Sequence, residues 1–173
     1  EIVIELPKVE KTVLSRVWKK MRTGEQLQGR DIYIGRSMAD HPNWFPLFET
    51  MDILGGDDTL PDGSNPFLHL TFHTMVGSQI FSGRPKPVQD FYRFRTQKGD
   101  CPHTTVHMII AIFQAELGHM ASRISQGMNG EFDWPSYVKQ LQRLGRLPTK
   151  AVWKHIGFDT RPTLDSFHRG PDS

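Results

Sequence analysis

The chain has one cysteine among its 173 residues, Cys101, so it can form no internal disulfide and no thiolate cluster for zinc or an iron–sulfur centre. It lacks any run of about 18 apolar residues, which excludes a membrane-spanning helix. Charge of one sign is also missing: 21 Lys and Arg against 19 Asp and Glu leave a net charge of +2, with no basic arm of the kind that holds nucleic acid. The motifs Gly-x-Gly-x-x-Gly, Gly-x-x-x-x-Gly-Lys-Ser/Thr, Gly-x-Ser-x-Gly, His-Glu-x-x-His and Cys-x-x-Cys-His are all absent. Their absence disfavours a dinucleotide enzyme, a P-loop ATPase, an α/β-hydrolase, a zincin protease and a c-type cytochrome. A lone cysteine fits a reducing, cytoplasmic compartment, with allowance for native sequence upstream of Glu1.

What is present is helical patterning punctuated by proline. Residues 1–8 alternate Ile2, Ile4 and Leu6 with other residues and stop near Pro7, which reads as a short extended arm. From Val9 the apolar spacing becomes helical through Val13, Val17 and Met21, and Gly24 closes the segment. Weaker helical signals cover Arg30–Asp40 and a stretch from about Pro46 to Leu54, followed by turn chemistry at 55–65. Ser64 or Asn65 caps the next helix, Pro66 fits its first turn and Gly83 ends it; it is apolar on nearly every side, as a central helix is.

A helix over Val88–Gln97 is predicted to turn Val88, Phe91, Tyr92 and Phe94 inward. In its Phe91-Tyr92-Arg93-Phe94-Arg95 run, the arginines read as a solvated face rather than part of a base-stacking platform. Asp100 and Pro102 signal the start of the longest helix, to about residue 127, with Val106, Ile109, Ile110, Phe113, Leu117, Met120 and Ile124 in the core. Asp133 and Pro135 open another helix through Leu144. A short amphipathic turn (Ala151, Val152, Trp153, Ile156) then leads into a tail. The expected fold is an all-α bundle of about five to seven helices, divided into an arm at 1–8, a bundle domain at 9–147, and a terminal turn and tail at 148–173.

Four of the eight histidines form two i,i+4 pairs, His69/His73 and His103/His107. That spacing stacks both rings on one helical face, where two imidazoles reach one ion. If the two helix starts are neighbours, the four rings are expected to share one divalent transition metal, zinc or iron, because imidazole suits several such ions. No carboxylate continues either stripe: Val76 and Ile80 follow the first pair, while Ile110, Gln114 and Leu117 follow the second. A carboxylate-bridged di-iron centre is thereby disfavoured. Asp52, Glu49 and Gln114 are the further ligand candidates.

Satisfied structural histidines, or one histidine acting as acid or base without metal, are the competing readings. His41 before Pro42 reads as a helix-end residue, Glu116, His119 and Arg123 as a polar stripe, and Cys101 as a bystander. The competing function is an interaction or assembly subunit, with arm and tail ordering against a partner protein or a second copy.

The block Asn65-Pro66-Phe67-Leu68-His69-Leu70, followed by His73 and Gln79, resembles a bacterial family catalogued as a domain of unknown function, number eighteen forty-one. The resemblance extends from Leu14-Trp18-Lys19 through His41-Pro42 and His103/His107 to Tyr137–Leu144. It implies an all-helical fold and an intracellular bacterial origin, and no reaction. Gly77 and Ser78 stand where the family carries acidic residues. Trp44-Phe45 lies where relatives often carry another histidine after His-Pro. A more distant similarity to DinB-like four-helix bundles, whose histidines hold a divalent metal, bears on the 103–107 pair.

Overall fold

In a computed structural model, residues 9–51 and 65–156 are described. The arm at 1–8, the turn-rich segment up to Ser64, Asp52, and the tail from 157, with His168, lie outside these residues. The described residues contain eight α-helices and no strand: α1 Lys11–Thr23, α2 Arg30–Ala39, α3 Phe45–Thr50, α4 Pro66–Ser82, α5 Lys86–Gln97, α6 Pro102–Ser125, α7 Trp134–Gly145 and α8 Thr149–Ile156. All seven predicted helices are present. The stretch expected to be an amphipathic turn is itself α8. The residues form two compact units, 9–51 with 65–75 and 76–156, with the boundary inside α4.

The amino-terminal unit is built on a stripe of α1. Leu14, Val17 and Trp18, at i, i+3 and i+4, are buried with Ile34 and Met38 of α2, Phe48 of α3, and Phe67 and Leu70 of α4. Trp18 meets Phe45 and Phe48 in tilted pairs at 5.0 and 5.2 Å, geometry that suits aromatic quadrupoles. Val9 precedes the helix rather than starting it. It is buried, and its N–H donates to the Thr71 hydroxyl at 3.2 Å.

Gly24 ends α1 in the left-handed region (φ 74°), where the Glu25 N–H reaches back to the Lys20 carbonyl at 2.9 Å. At Gly35 the reason for glycine is space, because a Cβ would lie 2.3 Å from Leu27 Cδ1. Asp31 bridges α2 to α1 through Arg16 (2.8 Å) and Lys20 (3.1 Å). Burial alone would raise the Asp31 carboxyl; the hydrogen bonds from Lys20 and Arg16 outweigh it and hold the group below the usual range.

The carboxy-terminal unit packs α5, α7 and α8 around the first half of α6. From Met108 to Phe113 every residue of α6 is buried, as a central helix requires, whereas most of its last three turns is solvated. Phe113, Phe132, Trp134 and Tyr137 form an aromatic cluster with centroids 4.8–6.0 Å apart. The Tyr137 hydroxyl is buried without a hydrogen-bond partner, and burial pushes its pKa well up. Asp133 caps α7 as expected, accepting from the Ser136 N–H at 2.9 Å.

The sequence expectations for Arg95 and Asp100 fail in this unit, and they fail together. Arg95 is not on a solvated face: it is 1% exposed, while Phe94, expected inside, is turned outward with Lys98 over its ring. Asp100 does not cap α6; Cys101 holds that position, with no capping hydrogen bond from its side chain. Asp100 instead accepts from Arg95 Nε at 2.6 Å and from the Thr149 hydroxyl at 2.7 Å. The guanidinium also donates to the Thr149 hydroxyl and to the Leu147 carbonyl. A buried arginine is tolerated only when its donors are matched in this way, and the pairing joins α5 to the starts of α6 and α8. Val106 is half-buried and Ile124 exposed, so the α6 core stripe is shorter than the apolar pattern suggests.

Candidate metal centre

The His-x-x-x-His pair of α4 is fixed by a local cap. Asn65 Oδ1 accepts from the Leu68 N–H at 3.0 Å, the Asn65 carbonyl accepts from the His69 N–H at 3.0 Å, and Pro66 occupies the first turn. His69 and His73 therefore leave α4 on one face, with ring centroids 4.6 Å apart.

A third imidazole joins them that spacing alone did not nominate. His41 follows α2, and the proline after it disfavours helical backbone there; its φ and ψ of −126° and 64° take the chain out of the helix. The short 3₁₀ turn Pro42–Trp44 then folds Trp44 onto the His41 ring, stacked at 4.6 Å and 8°. His41 lies edge-on to both His69 (4.8 Å) and His73 (4.6 Å). A ring nitrogen from each of the three lies within 4.8 Å of the others. His41 is 8% exposed and His73 4%, whereas His69 is part-exposed.

The hydrogen bonding assigns the His41 tautomer. Its Nδ1 lies 2.6 Å from the Ser37 carbonyl, which can only accept, so Nδ1 carries the proton. In the neutral ring, Nε2 then presents its lone pair, and it sits 3.0 Å from His69 Nε2. A ring whose Nδ1–H is held by a main-chain carbonyl is a common arrangement for a metal-ligating imidazole. Two nitrogens bound to one ion at about 2.0–2.1 Å would themselves lie roughly 2.9–3.4 Å apart, so 3.0 Å suits a shared ion. A direct N–H···N hydrogen bond from His69 suits the same separation.

The His103/His107 pair belongs to the carboxy-terminal unit. Its Nε2 atoms are 2.9 Å apart, its rings are perpendicular with centroids at 4.4 Å, and His107 is 6% exposed. The further ligand candidates fare differently. Glu49 is exposed and pairs with Arg22 at 3.1 Å, and Gln114 is exposed.

Glu116, read as part of a polar stripe, is buried at 3% exposure. Its partners are His119 at 3.5 Å and Arg123 at 3.7 Å, on the same helix. His155 contacts Arg143, and Cys101 is exposed. Asp40, next to His41, has its carboxyl pushed up by partial desolvation against the opposing fields of His41 and Arg36. Among the described residues, the converging group is made of imidazoles.

No helix among the described residues is long and apolar enough to cross a membrane. No curated protein and no solved structure matches the chain. Residues 8–143 match the family described as Domain of unknown function (DUF1841), a span that includes all five of these histidines. The chain is a member of that family.

Proposed function

We propose that the protein binds a divalent transition metal, zinc or iron, through His41, His69 and His73. The observation that carries this reading is the His41 ring, proton-anchored on the Ser37 carbonyl with its Nε2 turned to His69. From the second pair, His103 and His107 stay proposed ligands on the strength of their own i,i+4 spacing. Imidazole ligands suit zinc, and an open position next to them would make the ion available for chemistry. A single cysteine and a helical family fold accord with a reducing, cytoplasmic setting.

Metal analysis of protein purified without an affinity tag tests the proposal. About one equivalent of zinc or iron per chain is expected, and His73→Ala should lose it. Wild-type protein that neither carries metal nor takes up added zinc or iron would sink the reading. Comparing His103→Ala with His107→Ala then tells which ring of the second pair ligates.

A second reading, an assembly subunit, draws on the exposed Ile124 and Met128 at the end of α6 and beyond it. Light scattering behind size exclusion tests it; a strict monomer at high concentration counts against self-assembly.

A further inference from the structure

We infer that Asn129 is a self-modifying position: its side chain cyclises onto the Gly130 nitrogen, loses ammonia, and ages to isoaspartate and aspartate. The inference is independent of the metal reading. The chain has three asparagines, and the residue that follows each one decides what its amide can do. Asn65 precedes Pro66, whose nitrogen carries no proton to lose. Asn43 precedes the bulky Trp44, whose N–H is held by the His41 carbonyl at 3.0 Å in the 3₁₀ turn. Asn129 precedes Gly130, where the missing side chain lets the nitrogen approach the amide carbon unhindered.

The structure adds what the residue pair alone does not give. Asn129 and Gly130 lie outside any helix, between α6 and α7, and Asn129 is exposed. Among the described residues the Gly130 N–H donates to no acceptor, unlike that of Trp44. The Asn129 side chain is folded over the Gly130 peptide, because its Oδ1 accepts from the Glu131 N–H at 3.0 Å in an Asx turn. That N–H points to the atom on which negative charge develops when the amide carbon is attacked, and an oriented donor there lowers the barrier. A Cβ at position 130 would lie 2.4 Å from Ile124 Cγ1, so the fold as it stands takes only hydrogen there.

The Gly130 nitrogen gives its proton to solvent and bonds to Asn129 Cγ, while the carbonyl electron pair moves to Oδ1. As that pair returns, the Cγ–Nδ2 bond breaks, and Nδ2 takes a proton from solvent and leaves as ammonia. Water then opens the succinimide. Cleavage of its bond to the Asn129 main-chain carbonyl gives isoaspartate, and cleavage of its bond to Cγ gives aspartate. Isoaspartate adds a methylene to the main chain just ahead of Glu131, whose carbonyl accepts from Arg123 at 2.7 Å, of the buried Phe132 and of the α7 cap Asp133.

The test incubates the full chain in warm, mildly alkaline buffer beside a free peptide covering residues 126–133. Both are followed by peptide mass spectrometry with fragmentation that separates isoaspartate from aspartate. Asn129 in the chain should convert within about tenfold of the peptide's rate, a barrier difference of at most about 1.4 kcal/mol, and yield isoaspartate. Asn43 and Asn65 should keep their amides. Slower loss at Asn129, or equal loss at Asn43 or Asn65, overturns the inference. Aspartate formed without isoaspartate overturns the succinimide route. Gly130→Ala should slow the reaction by about tenfold or more. If that variant does not fold, Gly130→Ala combined with Ile124→Ala makes room for the methyl. Conversion of the alanine chain at the wild-type rate overturns attack by the nitrogen at position 130.

Discussion

The two units each bury a polar constellation, and the two differ in how their hydrogen-bonding capacity is used. Around Arg95, donors and acceptors meet within the protein: the guanidinium is matched by Asp100, Thr149 and the Leu147 carbonyl, and Thr149 also bonds Asp100. Around His41 the described contacts are of another kind. One nitrogen is spent on the Ser37 carbonyl, and the other faces a second imidazole nitrogen of the same kind. Where charges and donors balance, burial serves to fix helices in place. Where two ring nitrogens face one another, either a shared proton or a shared cation can join them. The first cluster should therefore act on stability at all times, and the second chiefly when metal is supplied.

The largest effect expected is at Arg95. Arg95→Ala leaves Asp100 with an uncompensated, mostly buried charge and should cost about 3–5 kcal/mol by chemical denaturation, with or without metal. A loss below about 1 kcal/mol would erase the distinction between the two clusters.

Next comes metal linkage. Zinc at a free concentration about a thousandfold above its dissociation constant should add about 4 kcal/mol to wild-type stability. It should add almost nothing to His73→Ala, as measured by thermal unfolding with and without zinc. An equal zinc effect in both proteins would place the binding elsewhere.

Gly35→Ala should cost about 1 kcal/mol or less, because the added methyl must displace the end of the Leu27 side chain while alanine favours the helix. Its metal content should stay at the wild-type level; loss of metal would show that the centre depends on overall α1–α2 packing.

Asp31→Asn should cost about 1 kcal/mol at neutral pH, the scale of a partly exposed ion pair. The sign follows from the depressed folded-state pKa: stabilisation is present above the unfolded carboxylate value and is lost as pH falls through the folded one. Denaturation curves of wild type and variant should therefore converge in acid, and a gap that persists there would remove the ion pair as its cause.

The smallest change is Tyr137→Phe. It deletes a buried hydroxyl without a partner and should be neutral or stabilising by up to about 1 kcal/mol, whereas clear destabilisation would reveal a hidden partner.

These contrasts also separate what the sequence discloses from what it conceals. Helix starts at Asn65-Pro66 and Asp133-Pro135 were legible because cap and proline act within one turn. The spacing of His69 and His73 was legible because it is a property of one helix. His41 was not, since its role depends on a ring 28 positions further along the chain. The proline after it accounts for the helix end and carries no sign of the side chain's neighbours.

Arg95 was misjudged by residue type, although the pattern held a signal. Val88, Phe91 and Arg95 share the i, i+3, i+7 stripe, and Phe94 lies off it. Asp100 was misassigned because a carboxylate near a helix start suits both a cap and an arginine partner, and the partner is supplied by tertiary packing.

The anchor that orients His41 belongs to the main chain. Because a peptide carbonyl makes the bond, replacing the Ser37 side chain with any small residue that keeps α2 intact should leave the imidazole aimed as before. The direction of this ring is thus inherited from the course of the polypeptide, which point mutation at its supporting position cannot easily erase.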